Sequence, residues 1–231
     1  LKYYKKYNYN LEENQMARGI FITVEGMEGS GKTTHCEKIS AYLEKKGLEV
    51  IRVHEPGGTR IGEQVRNILL SAGNEEMIDR TELFLFLASR SQLVEEVIRP
   101  SMAAGKVIVC DRYIDSTVAY QGYGRGVDEK FIRLLNKFVV GNVKPDLTII
   151  LDVDAPIGLR RARKRLGEKE PDRIEKATLS FHQRVRQGYL SLLRTEHERI
   201  RIVDAGRDVK KTERSIKRHI DNFLEKLSKE A

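Results

Sequence analysis

The sequence predicts an α/β protein in three layers, with a five-stranded parallel sheet flanked by helices. Short apolar, β-branched runs alternate along the chain with longer stretches of helical periodicity, which is the order of strand–helix–strand units. A glycine-rich turn follows the first apolar run and precedes a helical stretch, as in sheets that bind ligands at their carboxyl edge. The length of 231 residues and the hydrophobic content of 40% suit one domain with a buried core.

The predicted elements follow one another with clear boundaries. The first helix is expected to end at Gly47, because glycine readily adopts the conformation that closes a helix. The third strand is expected to be fully buried and ends in an acid, Asp111. The strands are expected at residues 19–25, 49–53, 106–111, 147–152 and 200–204, and the helices at 32–46, 62–70 and 81–104.

The chain is expected to form a single domain over residues 16–231. Residues 1–15 have no periodicity that would bury a face, so we predict a loosely ordered extension with a natural start at Met16. No apolar run is long enough for a membrane span, and no secretory signal is recognisable, so we expect a cytoplasmic protein with no membrane partner. Cys36 and Cys110 lack pairing or metal-ligand spacing and are expected to be buried thiols.

The net charge of +8 is compatible with nucleic-acid binding or with polyanionic substrates. Basic residues near the C-terminus alternate with Ile216 and Ile220, a pattern typical of the solvated face of an amphipathic helix. The basic stretches lack the interleaved aromatic residues on which single-strand binders stack bases. The pattern therefore favours small anionic substrates, and no nucleic acid is expected as a partner.

Residues 26–33 read GMEGSGKT, a complete G-x-x-x-x-G-K-[ST] phosphate loop between a predicted strand and a predicted helix. Backbone N–H groups of such a loop form an anion nest, Lys32 can reach the β- and γ-phosphates, and the Thr33 hydroxyl can bind Mg²⁺. A glycine turn that binds nothing is the alternative, which the strand and helix context disfavours. The sequence thus predicts a P-loop NTPase fold whose triphosphate-binding residues are Gly26, Met27, Glu28, Gly29, Ser30, Gly31, Lys32, Thr33 and Thr34.

Asp111 and Arg112 follow the third predicted strand. An apolar strand ending in Asp resembles a Walker B element, whose carboxylate holds Mg²⁺, although a strand-end turn would use the same residue. Arg112 offers a planar fork for bidentate phosphate binding. Both residues are expected beside the phosphates, with Thr33 and Asp111 as the metal-binding pair.

Further motifs identify a family resemblance that covers roughly residues 18–225. Together with the phosphate loop, these motifs are similar to those of bacterial thymidylate kinases, which are P-loop nucleoside monophosphate kinases. The sequence Asp-Arg-Tyr followed by Ala-Tyr-Gln-Gly is much narrower than the phosphate loop alone. The matching segments are EPGGT at 55–59, TELFLFLASR at 81–90, DRY at 111–113, AYQG at 119–122, KPDL at 144–147 and DRIE at 172–175.

The resemblance implies phosphorylation of dTMP to dTDP by ATP in dTTP synthesis, with Mg²⁺ as cofactor. It implies that Phe86 stacks on thymine and that Arg90 hydrogen-bonds its O4; without the resemblance, a core Phe and a surface Arg would explain both residues. It also implies a homodimer, formed by apolar helix faces such as that around residues 83–97. The remaining residues implied at the dTMP site are Glu55, Arg66, Arg112, Thr117, Tyr120 and Gln121.

Catalysis in such an enzyme is positioning plus charge stabilisation, so Lys32, Asp111 and Arg112 are the first candidates. The phosphate loop has no arginine, and the resemblance then implies that a mobile lid supplies a further cation, Arg165 or, as second choice, Arg163. Arg161 is expected to pack on adenine. Residues 160–165 could alternatively be the exposed face of a helix, but Gly167 and Pro171 beyond them suit a closing flap.

One departure and two rival interpretations remain open. His54 precedes Glu55-Pro56 where the family often has arginine, so a contribution of that arginine to orienting the acceptor phosphate is weaker here or comes from Arg60. The Glu55–Pro56 bond could be cis. His182 has no partner pattern and is expected to be structural or on the surface. One alternative function is a different nucleoside monophosphate or deoxynucleoside kinase. The other, motivated by the net charge of +8, is a nucleotide switch or a nucleic-acid-binding ATPase.

Overall fold

The computed structural model describes residues 19–168, 170–206 and 208–230. Its centre is a five-stranded, wholly parallel sheet in the order β2-β3-β1-β4-β5. This architecture confirms the predicted fold class, and each strand begins and ends within one residue of its predicted bounds. The strands are β1 Ile20–Glu25, β2 Val50–His54, β3 Val107–Asp111, β4 Leu147–Asp152 and β5 Ile200–Asp204.

Nine α-helices connect or flank the strands in the described part of the chain. The long helix predicted at 81–104 is formed by α3 and α4 with a π-helical turn, Val94–Ile98, between them. A second π-helical segment, Val118–Gly124, continues α5. The helices are α1 Lys32–Lys45, α2 Arg60–Leu70, α3 Asp79–Leu93, α4 Arg99–Ala103, α5 Ile114–Thr117, α6 Glu129–Val140, α7 Ala155–Leu166, α8 Leu179–Glu196 and α9 Val209–Glu230.

The core lies on both faces of the sheet. On one face, α1 and α9 cover β1, β3 and β4, and Ile216 and Ile220 of α9 are buried there as the amphipathic pattern predicts. On the other face, α3, α6, α8 and the two π-helical segments pack in two apolar clusters. Because a buried parallel strand has no solvated face, β1 and β4 are almost continuously apolar.

The carboxyl ends of the strands form one edge, which carries polar residues. Glu25 ends β1, His54 ends β2 and Asp111 ends β3, and His54 is the register partner of Asp111. Strand β1 lies between β3 and β4, so the phosphate loop emerges at the middle of this edge. Ligands of open parallel sheets bind at this position, where the connections diverge to opposite sides.

Several predictions concern residues 1–16, which lie outside the described residues; the extension at 1–15 and the start at Met16 stay predictions. None of the described helices combines the length and apolar character needed to cross a membrane. Cys36 and Cys110 are buried and free, as expected.

Candidate active site

A cavity of about 970 Å³ opens over the carboxyl edge of the sheet. Most of the predicted site residues line it, so residues predicted to bind the triphosphate and residues implied for dTMP share one space. Five do not line it: Gly26, Met27, Ser30, Arg90 and Arg163. Those that do are Glu28, Gly29, Gly31, Lys32, Thr33, Thr34, Glu55, Arg66, Phe86, Asp111, Arg112, Thr117, Tyr120, Gln121, Arg161 and Arg165.

The phosphate loop depends on glycine at two positions, one for its backbone conformation and one for a close contact. Gly31 precedes α1 with φ of 92°, a left-handed conformation, and no side chain caps the helix. The first backbone N–H groups of α1 are therefore free to meet an anion. Gly29 packs against the backbone of Gly158 in α7, where a methyl group would overlap the Gly158 carbonyl. The loop and the start of the predicted lid helix are thus in direct backbone contact.

Lys32 is buried at the cavity wall, and its Nζ donates to the Met27 carbonyl at 2.9 Å. Burial, together with the nearby positive charge of Arg112, lowers the pKa of Lys32 to about 8 despite the opposing effect of Asp111. A polyphosphate bound in the loop would favour the charged amine. An anion bound in the loop would therefore stabilise the positive charge of Lys32.

The Thr33 hydroxyl donates to Asp111 Oδ2 at 2.7 Å, so the two predicted metal-binding side chains lie in contact. Both side chains line the cavity. A hydroxyl and a carboxylate are the oxygen ligands that Mg²⁺ prefers, usually together with substrate phosphates and water. The pair therefore fits the predicted ion.

Arg112 reaches back over the phosphate loop from the residue after β3. Its φ of 72° is the only positive φ of a described non-glycine residue, a conformation that costs on the order of 1–3 kcal/mol and is concentrated at functional sites. Its Nη2 donates to Glu28 Oε1 at 2.8 Å and its guanidinium lies 4.8 Å from the centre of the Tyr120 ring. The left-handed backbone thus aims a fixed arginine into the cavity.

Glu28 is the buried counter-charge of this arginine. The Tyr120 hydroxyl donates to Glu28 Oε1 at 2.6 Å, and His182 Nδ1 lies 3.2 Å from Oε2. Burial alone would raise the pKa of Glu28, but the charges of Arg112 and Lys32 and the contact with His182 outweigh it and hold the pKa well below its ordinary range. His182 is fully buried beside the loop rather than on the surface, so the structural alternative is correct for it.

Glu25, at the end of β1, organises the floor beneath the loop. Its carboxylate accepts hydrogen bonds from Ser116 Oγ at 2.6 Å, Tyr113 N at 2.7 Å and the Tyr189 hydroxyl at 2.9 Å. Burial, and then the negative charge of Asp115, raise the pKa of Glu25 to about 7. Sequence patterns gave no indication of this cluster, because its members lie on β1, α5 and α8, far apart in the chain.

We expect Glu25→Gln to make the stability of the fold less dependent on pH. Between about pH 4.5 and 7 the folded protein keeps the Glu25 proton that the unfolded chain releases, so this contribution to the free energy of unfolding falls as pH rises. The shift corresponds to about 3 kcal/mol lost above pH 7. Urea unfolding of both proteins at about pH 5 and 8 measures it; an equal difference between the two proteins at both pH values would contradict the raised pKa.

The other end of the cavity has the residues implied for dTMP. Arg66, on α2, donates from Nη1 to the carbonyl of Pro56 at 2.8 Å, and the Glu55–Pro56 bond is cis, as anticipated. Phe86 of α3 is partly buried at the wall, facing the same space as Gln121 of the π-helical segment. An aromatic face, an amide and an arginine therefore meet in one compartment.

Arg90 is not at the cavity wall. Its side chain is 1% exposed, and it forms a 2.6 Å ion pair with Glu55. All five N–H donors of a guanidinium are accounted for, because Nε and Nη2 reach Glu55 Oε2, Nη1 reaches Thr117 Oγ1 and Asn136 Oδ1, and Nη2 reaches the Tyr113 carbonyl. In this arrangement Arg90 buttresses two cavity residues, Glu55 and Thr117, from behind.

The arginine-rich segment lies on α7, which continues to Leu166 before Gly167 ends it. Arg165 is exposed and pairs with Glu175 Oε1 at 2.6 Å at the cavity wall, whereas Arg163 is exposed and does not line the cavity. Arg161 donates to the carbonyls of Ala205 and Gly206 at 2.7 and 2.6 Å. The structure therefore brings Arg161 and Arg165 to the cavity and leaves Arg163 outside it.

His54 contacts its own loop. Its Nδ1 lies 3.1 Å from the Pro56 carbonyl and its Nε2 lies 3.2 Å from Glu63 Oε1, at the cavity wall. Arg60, considered as a substitute cation, begins α2 and does not line the cavity. The side chain at position 54 thus holds the loop that carries Glu55.

A phosphate loop and a second compartment with its own arginines, joined over a parallel sheet, define a P-loop kinase of the class that phosphorylates nucleoside monophosphates. The family model described as thymidylate kinase matches residues 24–216. The chain belongs to the thymidylate kinase family.

Individual relatives agree with the family match. A thymidylate kinase of Solidesulfovibrio magneticus is 51% identical over 190 residues, covering 80% of this chain and 91% of the relative. One from Geotalea uraniireducens is 46% identical over 202 residues, covering 86% and 94% of the two chains. The crystal structure of thymidylate kinase from Ehrlichia chaffeensis matches with a TM-score of 0.67 at 37% identity, covering 80% of this chain and 93% of that one.

Proposed function

We propose that the protein transfers the γ-phosphoryl group of ATP to the phosphate of dTMP, giving ADP and dTDP for dTTP synthesis. The observation that carries the proposal is that Lys32 of the phosphate loop, Arg112 and Phe86 line one cavity. A donor triphosphate and an acceptor nucleotide can therefore meet without crossing solvent. Membership of the thymidylate kinase family supports the choice of dTMP as acceptor.

On the donor side, the loop backbone and Lys32 would hold the β- and γ-phosphates of ATP. Thr33 and Asp111 would hold Mg²⁺, which neutralises charge on the phosphates when bound. Arg161 would pack on adenine, a role supported by its position at the cavity wall beside residues 205–206.

On the acceptor side, Arg66 and Arg112 would hold the phosphate of dTMP in line with the γ-phosphate. Phe86 would stack on thymine, with Thr117, Tyr120 and Gln121 against the base and sugar. Arg90 would act on the base from behind this wall, through its bonds to Thr117 and Glu55. Glu28 would keep Arg112 charged and fixed.

In the transfer step, an oxygen of the dTMP phosphate forms a bond to the γ-phosphorus while the bond to the β–γ bridging oxygen breaks, and ADP leaves. The transferring oxygens carry the developing charge, which cations stabilise. Lys32, Arg112 and Arg165 are the proposed cations, with Arg163 as the second lid candidate. Release of Arg165 from Glu175 would accompany closure of a mobile lid.

ADP formation with dTMP, dUMP, dCMP, dGMP and AMP as separate acceptors tests this function. We expect dTMP to give the highest kcat/KM, with both ATP and Mg²⁺ required. Comparable turnover of several unrelated monophosphates would indicate a broader nucleotide kinase. Turnover independent of any acceptor would indicate the switch or nucleic-acid alternative.

We also propose a homodimer formed by the outer faces of α2, α3 and α6, which pack side by side. Exposed apolar side chains lie on all three helices, with Ile68 on α2, Phe84 on α3 and Leu134 and Phe138 on α6. Leu83, within the segment expected to form the dimer, is instead buried in the core. Exposed large apolar side chains on neighbouring helices are typical of a protein interface.

Leu134→Glu/Phe138→Glu is expected to yield monomers, because two buried, unpaired carboxylates would oppose association. Light scattering after size-exclusion chromatography measures the mass. Lys210→Glu on α9 is the matched surface control and should leave a dimer. A wild-type monomer, or a dimeric double variant, would contradict the proposed interface. A cytoplasmic location stays a prediction.

A further inference from the structure

Glu82 of α3 is a buried carboxylate within the segment at 81–90, and it is not among the site residues that the sequence predicts. Its side chain is 1% exposed and does not line the cavity. Two side chains donate hydrogen bonds to it, Gln121 Nε2 at 2.9 Å and Arg125 Nη2 at 3.0 Å, and Arg173 Nη2 forms an ion pair with it at 2.6 Å. One of these donors, Gln121, belongs to the cavity wall.

The charge state of Glu82 follows from these contacts. Burial alone would raise its pKa, but hydrogen bonds from Arg125 and Gln121 and the charge of Arg173 outweigh burial and hold the pKa below its ordinary value. An ionised carboxylate can only accept hydrogen bonds. Gln121 must therefore present its amino group to Glu82, which fixes the orientation of the whole amide.

The opposite end of the amide is then the carbonyl oxygen, Oε1. No described residue donates a hydrogen bond to this oxygen, and the atom is not fully enclosed by protein. Gln121 lines the cavity. Oε1 therefore has access to the cavity, where it can accept a hydrogen bond from a ligand. A free glutamine would present either group; this one presents only an acceptor.

We propose that Glu82 is a positioning residue for base selection, which fixes Gln121 so that an acceptor faces the edge of the nucleobase. The inference rests on the proposed function. Thymine and uracil carry an N–H donor at N3, which complements this acceptor, whereas cytosine carries an acceptor at N3 and would leave Oε1 unpaired. Leaving a buried acceptor without its partner costs about 1–3 kcal/mol, or roughly 5- to 150-fold in kcat/KM.

Glu82→Gln tests the proposal, because a neutral amide at position 82 can donate or accept and no longer fixes Gln121. We expect the ratio of kcat/KM for dTMP over dCMP to fall by about 10-fold or more. The ratio of dTMP over dUMP should not change, since both bases carry the N3 donor. A purely structural role would change stability and leave both ratios where they are.

Arg125→Gln is the matched control. It removes the strongest charge contact of Glu82 but leaves the carboxylate and its bond to Gln121, so we expect a lower melting temperature and an unchanged dTMP over dCMP ratio. If Glu82→Gln does not fold, Gln121→Met removes the acceptor directly and should lower the same ratio.

An unchanged ratio in Glu82→Gln, or in Gln121→Met where the former is unfolded, would overturn the proposal, as would equal falls in Glu82→Gln and Arg125→Gln. Failure of the proposed function gives a different result, because wild type itself would then show no preference for dTMP.

Discussion

Lys32→Met is expected to lower kcat with ATP and dTMP by about 100- to 1,000-fold while the protein stays folded. The side chain is the one cation that the phosphate loop itself supplies, and charge stabilisation of the transferring group is most effective in a buried site. Methionine has a similar length and is apolar, so the change removes charge rather than packing. Steady-state kinetics at saturating ATP and dTMP measure the effect.

Lys45→Met, on the exposed last turn of the same helix, is the control and should retain wild-type kcat. Because the pKa of Lys32 is about 8 and a bound triphosphate would raise it, ATP binding above pH 8 should be accompanied by proton uptake at Lys32 in wild type, which the variant should lack. Retention of more than a tenth of wild-type kcat in Lys32→Met would contradict the assigned role.

Arg90→Met is expected to lower the free energy of unfolding by about 3–5 kcal/mol, because it leaves the buried carboxylate of Glu55 without its counter-charge. Chemical denaturation measures the loss. Arg133→Met, which breaks a half-exposed ion pair with Glu129, is the control and should cost less than about 1 kcal/mol.

A double-mutant cycle separates this stabilising role from direct contact with the base. Arg90→Met/Glu55→Gln should recover part of the lost stability, since the uncompensated charge is gone. A cost for Arg90→Met below about 1 kcal/mol, together with a large rise in KM for dTMP, would show instead that the arginine mainly contacts the nucleotide.

The sheet and the phosphate loop could be predicted because their signals are local. Strands β4 and β5 match their predicted bounds, since short runs rich in isoleucine, leucine and valine that end in an aspartate favour a strand between polar residues. The pairing of Thr33 with Asp111 followed from two motifs that a parallel sheet must bring to one edge.

The contacts of buried side chains behind the cavity wall could not be predicted from local patterns. Nothing near Glu82 indicates that its partners lie 39, 43 and 91 residues further along the chain, at Gln121, Arg125 and Arg173. Arg90 carried a recognisable motif, but its burial depends on Glu55 and on helix α6, which no local pattern reveals. Burial and pairing decide the roles of these side chains, and both are properties of the folded chain.

Phosphorus-31 NMR of the wild-type protein with equimolar ATP and dTMP in the presence of Mg²⁺ tests the central claim most directly. We expect the γ-phosphate signal of ATP and the dTMP signal to fall by equal amounts, while ADP and dTDP appear in equal amounts and little inorganic phosphate forms. Release of inorganic phosphate with unchanged dTMP would show hydrolysis rather than transfer and would contradict the account.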